Sequence, residues 1–431
     1  MTGVAHDLAA AVRPLLGGDL PVRLRAWDGS ETGPLDAPLI ELRTPDAVRR
    51  MLWRPGELGA AQAYVAGEIE VRHDLQDALT QLWTVARARG LSGVRATPAA
   101  LASLARAVRT AAGIGAIGRP PAAPASQARV GGRLHSKLRD RRAISHHYDL
   151  SNEFYATILD ESMAYSSGYW TRDPAADPSY TLEDAQRDKL DLVCRKLGLE
   201  PGMTMLDVGC GWGSLSLHAA EHFGARVTGV TIAAEQKRFI DARIAERGLG
   251  DSVEIRLQDY RDVVGPAGGF DAIGSIEMGE HVGEGNYPTY AGVLGAAVRP
   301  GGRVLVQQMS RSGRKGGKHP GGGPFIESFI APDMHMRPVG ETVAHLERGG
   351  LEVRDVHALR EHYVRTVDAW LERFEASVAE LSALVGEEVV RVWRLYLVGG
   401  GLAFRDGRMG VDQILAVRPG RSHSVPPVRT W

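Results

Sequence analysis

The feature that most constrains this chain is a regular alternation of strand and helix patterns between residues 182 and 308. A helical repeat over Leu182–Leu197 leads into an apolar run at Thr204–Val208, followed by a glycine-rich turn and a helix over Trp212–Phe223. Strands at Arg226–Thr231, Val253–Leu257, Ala272–Ile276 and Arg303–Gln308 follow, with helices over Ala233–Arg247 and Tyr287–Val298 among them. Apolar strands separated by helices require a mostly parallel sheet covered on both faces. The expected class is α/β, a doubly wound Rossmann-like domain.

At 431 residues the chain is longer than one such sheet needs, so further domains are expected. Residues 1–110 read as a small N-terminal α/β domain without a catalytic cluster. Val22–Trp27 alternates like a strand, Asp28-Gly29 signals a turn, and Leu39–Leu42 is a second strand. Helical patterns follow at Asp46–Trp53, Gly59–Gly67 and across 74–110. Gly, Pro, Ala and Ser dominate residues 111–133, which predicts a mobile linker, and the main domain occupies 134–431. The basic residues Arg133, Lys137, Arg139, Arg141 and Arg142 have two readings: a solvated connector, or a segment that meets anionic headgroups.

Composition excludes several classes. The 51 basic and 52 acidic residues nearly cancel, which argues against a protein that coats nucleic acid. With only Cys194 and Cys210, neither a disulfide framework nor a cysteine-rich zinc site is expected, and no metal site is assigned. No secretory h-region and no apolar run of ~18 residues is found, so the expected location is cytoplasmic.

The chemistry begins at the first strand-to-helix turn, Asp207-Val208-Gly209-Cys210-Gly211-Trp212-Gly213. Glycines there let the backbone approach a ligand. A dinucleotide fingerprint would place its third glycine three residues after the second. Here Gly209, Gly211 and Gly213 are two apart and an acidic residue precedes them, the form used by methyltransferases that bind S-adenosylmethionine. Cys210 then reads as a packed turn residue. An acidic residue commonly binds ribose hydroxyls at the end of the second strand. This chain has Thr231, Ile232 and Gln236 there, with Glu235 as a possible substitute. Asp259, Tyr260 and Arg261, after the third strand, are placed to meet an adenine.

Longer motifs flank the turn. They are Ile144-Ser145-His146-His147-Tyr148-Asp149, Leu159-Asp160-Glu161-Ser162-Met163-Ala164-Tyr165-Ser166-Ser167-Gly168-Tyr169-Trp170, Ala185-Gln186-Arg187-Asp188-Lys189-Leu190 and Glu277-Met278-Gly279-Glu280-His281-Val282-Gly283. In this order, and from about residue 143 onward, the chain closely resembles the cyclopropane-fatty-acyl-phospholipid synthases and the related mycolic acid cyclopropane synthases. The resemblance implies a class I methyltransferase domain with helical additions that bind an acyl chain. It implies S-adenosylmethionine as cofactor, with Tyr165, Ser166 and the Asp207–Gly213 turn in contact with it. It also implies a bicarbonate ion beside the reacting methyl group, with Glu280 and Tyr363 among its ligands. Three positions depart from the family: Ser167 replaces a cysteine, Gln307 a histidine, and Pro332-Asp333-Met334-His335-Met336-Arg337-Pro338 stands in place of a Cys-Leu-Pro loop.

An isolated double bond is a weak nucleophile with no proton to remove first, so a protein can only align it in a dry site. The resulting carbocation needs a carboxylate or an aromatic face, and a base must then take a proton. Glu280 is the expected carboxylate, with Tyr363 and Tyr165 offering hydroxyls and rings. Ser167, Gln307 and His335 surround the altered ion site. Glu277 reads equally well as the partner of an arginine, and His146, His147 and His281 as packed histidines. Trp370, Phe374, Trp393 and Tyr396, at helical spacing over Val367–Leu384 and Glu388–Leu397, read as core. With Phe325, Ile326, Phe329 and Ile330 they could also line an acyl tunnel.

The expected activity is methylation of an unsaturated phospholipid acyl chain at the inner face of a membrane. The three departures favour a 10-methylene product, which a flavin- or NADPH-dependent reductase would turn into a methyl branch. Cyclopropane closure is the alternative outcome. A non-catalytic lipid-binding relative would require a damaged turn, and this one is intact. The Asn/Asp-Pro-Pro-Tyr signature of base methylation is absent, so no nucleic-acid partner is expected. An oligomeric assembly is.

Overall fold

The computed structural model describes residues 3–72, 74–89, 105, 108–128, 131–132, 135–137, 139–140, 151–312 and 321–431. The motif around His146 and His147 lies outside these residues, as do Arg133, Arg141, Arg142 and part of the 74–110 helical pattern. The chain divides into two compact units: Met1–Gln127 with Val378–Leu402, and Ala128–Ser377 with Ala403–Trp431. No helix among the described residues is long and apolar enough to cross a membrane.

The smaller unit is built on a four-stranded sheet of β1 (Arg23–Arg25), β2 (Glu31–Thr32), β3 (Leu39–Leu42) and β4 (Ile69–Val71), in the order β2-β1-β3-β4. A helix at Val4–Leu16, not foreseen from the sequence, packs beside it. Two boundaries differ from expectation. The Val378–Leu402 segment, with Trp393 and Tyr396, belongs to this unit, whereas Trp370 and Phe374 belong to the larger one. The expected helix over Val367–Leu384 is also broken at Ser377, between Arg360–Ala376 and Val378–Val385.

The described part of the expected linker is tied down as well. Trp53 donates its indole N–H to the Gly118 carbonyl at 3.0 Å, Arg50 donates to Ala122 at 2.6 Å, and Ala111 and Ala116 are buried. Residues 111–113 end a helix that starts before the linker, and beyond them glycine and proline prevent regular structure while side chains of the Pro45–Trp53 helix satisfy carbonyls that are left over.

The larger unit contains a seven-stranded sheet. Its strands are β5 (Thr204–Val208), β6 (Arg226–Thr231), β7 (Val253–Leu257), β8 (Phe270–Ile276), β9 (Val298–Arg311), β10 (Glu352–Ala358) and β11 (Met409–Val417), in the order β10-β11-β9-β8-β5-β6-β7. Strands β5 to β9 are parallel, whereas β11 runs antiparallel to both β9 and β10. The helix Leu182–Leu197 starts in a capping box between Thr181 and Asp184 and stops at Gly198, whose φ of 64° only glycine adopts cheaply. It buries Leu190, Val193 and Leu197 against one face of the sheet, while Tyr287, Tyr290 and Leu294 fill the other. The reversal of strand order around β5 leaves a crevice at the carboxyl ends of β5, β6 and β8. Ligands bind at such switch points in open α/β sheets.

Candidate active site

A cavity of about 940 Å³, counted out through its mouth into open solvent, opens at that crevice. Gly209 and Gly211 line it, at φ of 77° and 54°. No atom lies within 4 Å of where a Cβ on Gly211 would be, so the turn presents bare backbone to open space. Thr231, Ile232 and Gln236 line the cavity from the end of β6, and Asp259, Tyr260 and Arg261 from the end of β7. Thr231 donates its hydroxyl to Gln236 Oε1 at 2.9 Å, whereas Glu235 is exposed and pairs with Arg238, so it does not substitute for an acidic residue here. The buried Tyr260 hydroxyl has no hydrogen-bond partner among the described residues.

Five further positions of the expected cofactor set do not line the cavity. Asp207 accepts from Ser216 Oγ at 2.7 Å, and burial lifts its carboxyl to about 6. Cys210 is packed in the core, where burial pushes its thiol well up, so it is inert as the turn predicted. Gly213 caps the helix Ser214–Phe223. Ser166 accepts from Lys189 Nζ at 2.9 Å, and the Tyr165 ring lies 5.7 Å from Tyr155 and 5.3 Å from Trp370. Lys137 and Arg139, the described members of the basic segment's side chains, are spent on Asp262 and Asp333.

The carboxylate at the centre of the site is Glu277. It lines the cavity just past the end of β8, at a φ of 49° that a non-glycine residue adopts only at a cost. Its Oε1 accepts from the Ser167 backbone N–H at 2.9 Å and from Gln307 Nε2 at 3.0 Å, and its Oε2 accepts from the Tyr363 hydroxyl at 2.7 Å. No arginine is among these partners, which corrects that reading of Glu277. Gln307 is itself fixed by Gln413, which donates to its Oε1 at 2.9 Å. Trp370 lies beside both Tyr165 and Tyr363, with ring centres 5.3 and 5.9 Å away, and Phe404 stacks on Tyr363 at 4.5 Å. A buried carboxylate and a group of aromatic rings therefore share one hydroxyl, that of Tyr363.

Glu280 takes a different place. It is fully buried, its Oε1 accepts from the Met309 N–H at 2.5 Å, and its Oε2 accepts no hydrogen bond among the described residues. Tyr363 thus serves Glu277 and not Glu280. Burial, and then the charge of Glu277, push the Glu280 carboxyl up to about 8. Burial also raises Glu277, against the pull of its three donors. Three donors support a charge on Glu277 and only one a charge on Glu280, so Glu280 is the better seat for a proton between the two. His335 lies outside the cavity lining, and burial and Arg337 lower its pKa. His281 lines the cavity, but burial pulls it down to about 4 and keeps it neutral.

This state of Glu280 has a measurable consequence. The fold retains a proton that the unfolded chain releases near 4.5, so stability falls as pH rises from about 4.5 to about 8 and then levels off. Glu280→Gln mimics the neutral acid and is expected to flatten that decline. Urea midpoints taken across this range check it, and an unchanged slope would assign the decline to other groups.

The chain has relatives among known proteins. A family model described as mycolic acid cyclopropane synthetase matches residues 135–414. The chain belongs to this family. It is 36% identical to "Probable fatty acid methyltransferase Rv3720" of Mycobacterium tuberculosis, over 96% of this chain and 95% of that protein. It is 34% identical to "Tuberculostearic acid methyltransferase UfaA1" of the same organism, over 93% of this chain and 88% of that protein. Among solved structures, mycolic acid cyclopropane synthase CmaA1, complexed with S-adenosylhomocysteine and CTAB, superposes with a TM-score of 0.59. It is 28% identical, over 64% of this chain and 98% of that one. This family member is an S-adenosylmethionine-dependent methyltransferase. The open backbone at Gly211, the lining from β6 and β7 and the orphan Tyr260 hydroxyl all fit that cofactor.

Proposed function

We propose that this enzyme methylates the double bond of a monounsaturated acyl chain on a phospholipid and releases mainly an exomethylene chain of the 10-methylene type. When bound, S-adenosylmethionine supplies an electrophilic methyl group. Gly209, Gly211, Thr231, Ile232, Gln236 and the Asp259–Arg261 segment would hold the cofactor in the cavity that Glu277 also lines. Tyr165, Trp370 and Tyr363, whose rings pack together beside Glu277, would offer aromatic faces to the acyl chain and help keep water out. The Glu277 carboxylate opposes the positive charge that alkylation leaves on the chain.

The observation that carries the choice of product is the Gln413–Gln307–Glu277 chain. An amide cannot take up or pass on a proton, so the relay available to a histidine at position 307 is absent here. Slower proton loss gives the cation time for a hydride shift before the added methyl group loses a proton. Ser167 adds nothing to this argument, because it reaches Glu277 through its backbone and spends its hydroxyl on the Gly168 carbonyl. The full-length likeness to a tuberculostearic acid methyltransferase supports the same product. A flavin- or NADPH-dependent reductase would then complete a methyl branch. Ring closure is the competing outcome, favoured by the cyclopropane synthases of the family.

The test is the purified chain with S-adenosylmethionine and vesicles of monounsaturated phospholipid, without a reductase. The two products share a mass, so proton NMR must separate them. Vinylidene signals are expected, and dominant upfield cyclopropane signals would overturn the product assignment.

A further inference from the structure

The site does not fit the bicarbonate ion that the sequence resemblance implies, because a carboxylate of the chain already occupies the donors. Ser167, Gln307 and Tyr363 are three of the positions that the resemblance places around that ion, with Glu280 and the loop of His335. In the structure all three donate to the two oxygens of Glu277. A bicarbonate there would bring a second anion against a buried carboxylate whose donors are already committed.

We propose that Glu277 is the resident catalytic base of this enzyme, taking the proton that the alkylated acyl chain must lose, and that the enzyme works without bicarbonate. The proposal rests on the alkylation reading above. A C–H bond of the added methyl group breaks, its electron pair forms the new carbon–carbon double bond and quenches the cation, and the proton goes to a Glu277 oxygen. For ring closure the same proton would leave and the pair would form the third ring bond, so the assignment of Glu277 does not depend on which product wins. The acid then returns its proton to solvent through the cavity mouth.

Three features of the chain support the assignment. Glu277 reaches the cavity, whereas Glu280 is turned toward the backbone of β9. Its three donors favour the charged form, and the neighbouring Glu280 carries the proton that two adjacent buried carboxylates cannot both give up. The left-handed backbone at Glu277, in a strand-end turn otherwise open to glycine, is strain held where the side chain is used.

Two experiments test this. In buffers stripped of carbon dioxide, the wild-type chain is expected to turn over at an unchanged rate, and added bicarbonate should neither accelerate it nor give a heat of binding. Glu277→Gln should bind S-adenosylmethionine normally by calorimetry while losing turnover by a factor on the order of 10² to 10⁴. Glu277→Ala opens a carboxylate-sized space between the same donors, so it should bind formate or bicarbonate and recover part of its rate with them. Bicarbonate binding to the wild type, dependence of its rate on bicarbonate, or full activity of Glu277→Gln would each overturn the proposal. Should the wild type yield no alkylated lipid, the reading of function fails first. The binding of small anions to Glu277→Ala and not to the wild type still decides whether Glu277 fills an ion site.

Discussion

Gly211→Val is expected to give a folded protein with no measurable affinity for S-adenosylmethionine. Two effects of the side chain must be separated. The backbone at Gly211 has a φ of 54°, where an L-residue costs on the order of 1–2 kcal/mol and a β-branched one more. That cost weakens the fold without destroying it, because nothing lies within 4 Å of the new Cβ. The methyl groups instead project into open space at the cavity, where the cofactor must approach bare backbone. Gly211→Ala carries most of the backbone cost with little of the bulk, so it should melt like the valine variant but keep much of its affinity. Gly209→Ala fails differently: its Cβ would stand 2.6 Å from Met278 Cγ, and the loss should show in stability as well as in binding. Calorimetric titration beside thermal melts reads both quantities. Retained affinity in Gly211→Val would remove this turn from the cofactor site.

The turn was legible because its information is local. Five strand residues, three glycines two apart and the following helix are contiguous, and β5, β6 and β7 have the bounds their apolar runs predict. Glu277 was not legible in the same way. Its donors lie 110, 30 and 86 residues away in sequence, and only the fold brings Ser167, Gln307 and Tyr363 onto one carboxylate. Its proximity to Glu280 drew attention to the residue that the family motif names. The antiparallel strands were missed for another physical reason. In β10 exposed and half-buried residues alternate through Glu352, Val353, Arg354 and Asp355, a polar edge that reads like loop. In β11 a buried run through Val411, Ile414, Leu415 and Ala416 does carry a strand signal. It follows directly on a long helix, and a turn of only a few residues separates the two. The composition of residues 111–133 matches the irregular chain at 114–128 but not the helical turn at 111–113, and it said nothing of the arginines and Trp53 that hold the chain in place.

Arg391 carries a comparable load in the smaller unit, and its removal should be the most damaging single truncation there. Its guanidinium is almost fully buried and donates to the Tyr64 carbonyl at 2.6 Å, to the Ile69 carbonyl at 2.6 Å and to Glu70 Oε2 at 3.0 Å. It also lies 4.3 Å over the Tyr64 ring. One side chain thus fastens the helix Glu387–Arg405 to the edge strand β4 and to the helix Glu57–Val65. Glu70 keeps a second partner in Arg43, so it is not stranded when Arg391 is lost. The Tyr64 carbonyl likewise keeps the Gly67 N–H at 3.0 Å, whereas the Ile69 carbonyl loses its side-chain donor at about 1–3 kcal/mol, and the cation–π contact is lost with it. With the packing of its buried stem lost as well, Arg391→Ala is therefore expected to cost roughly 2–4 kcal/mol of stability. Arg391→Lys should recover little, because an ammonium is a point charge and cannot span three acceptors that a planar fork reaches together. Urea unfolding, with hydrogen exchange followed in Ile69–Val71 and in the 387–405 helix, gives the magnitude and its location. A loss under about 1 kcal/mol, or one confined to the larger unit, would show that the apolar contacts of this helix and not Arg391 hold it in place.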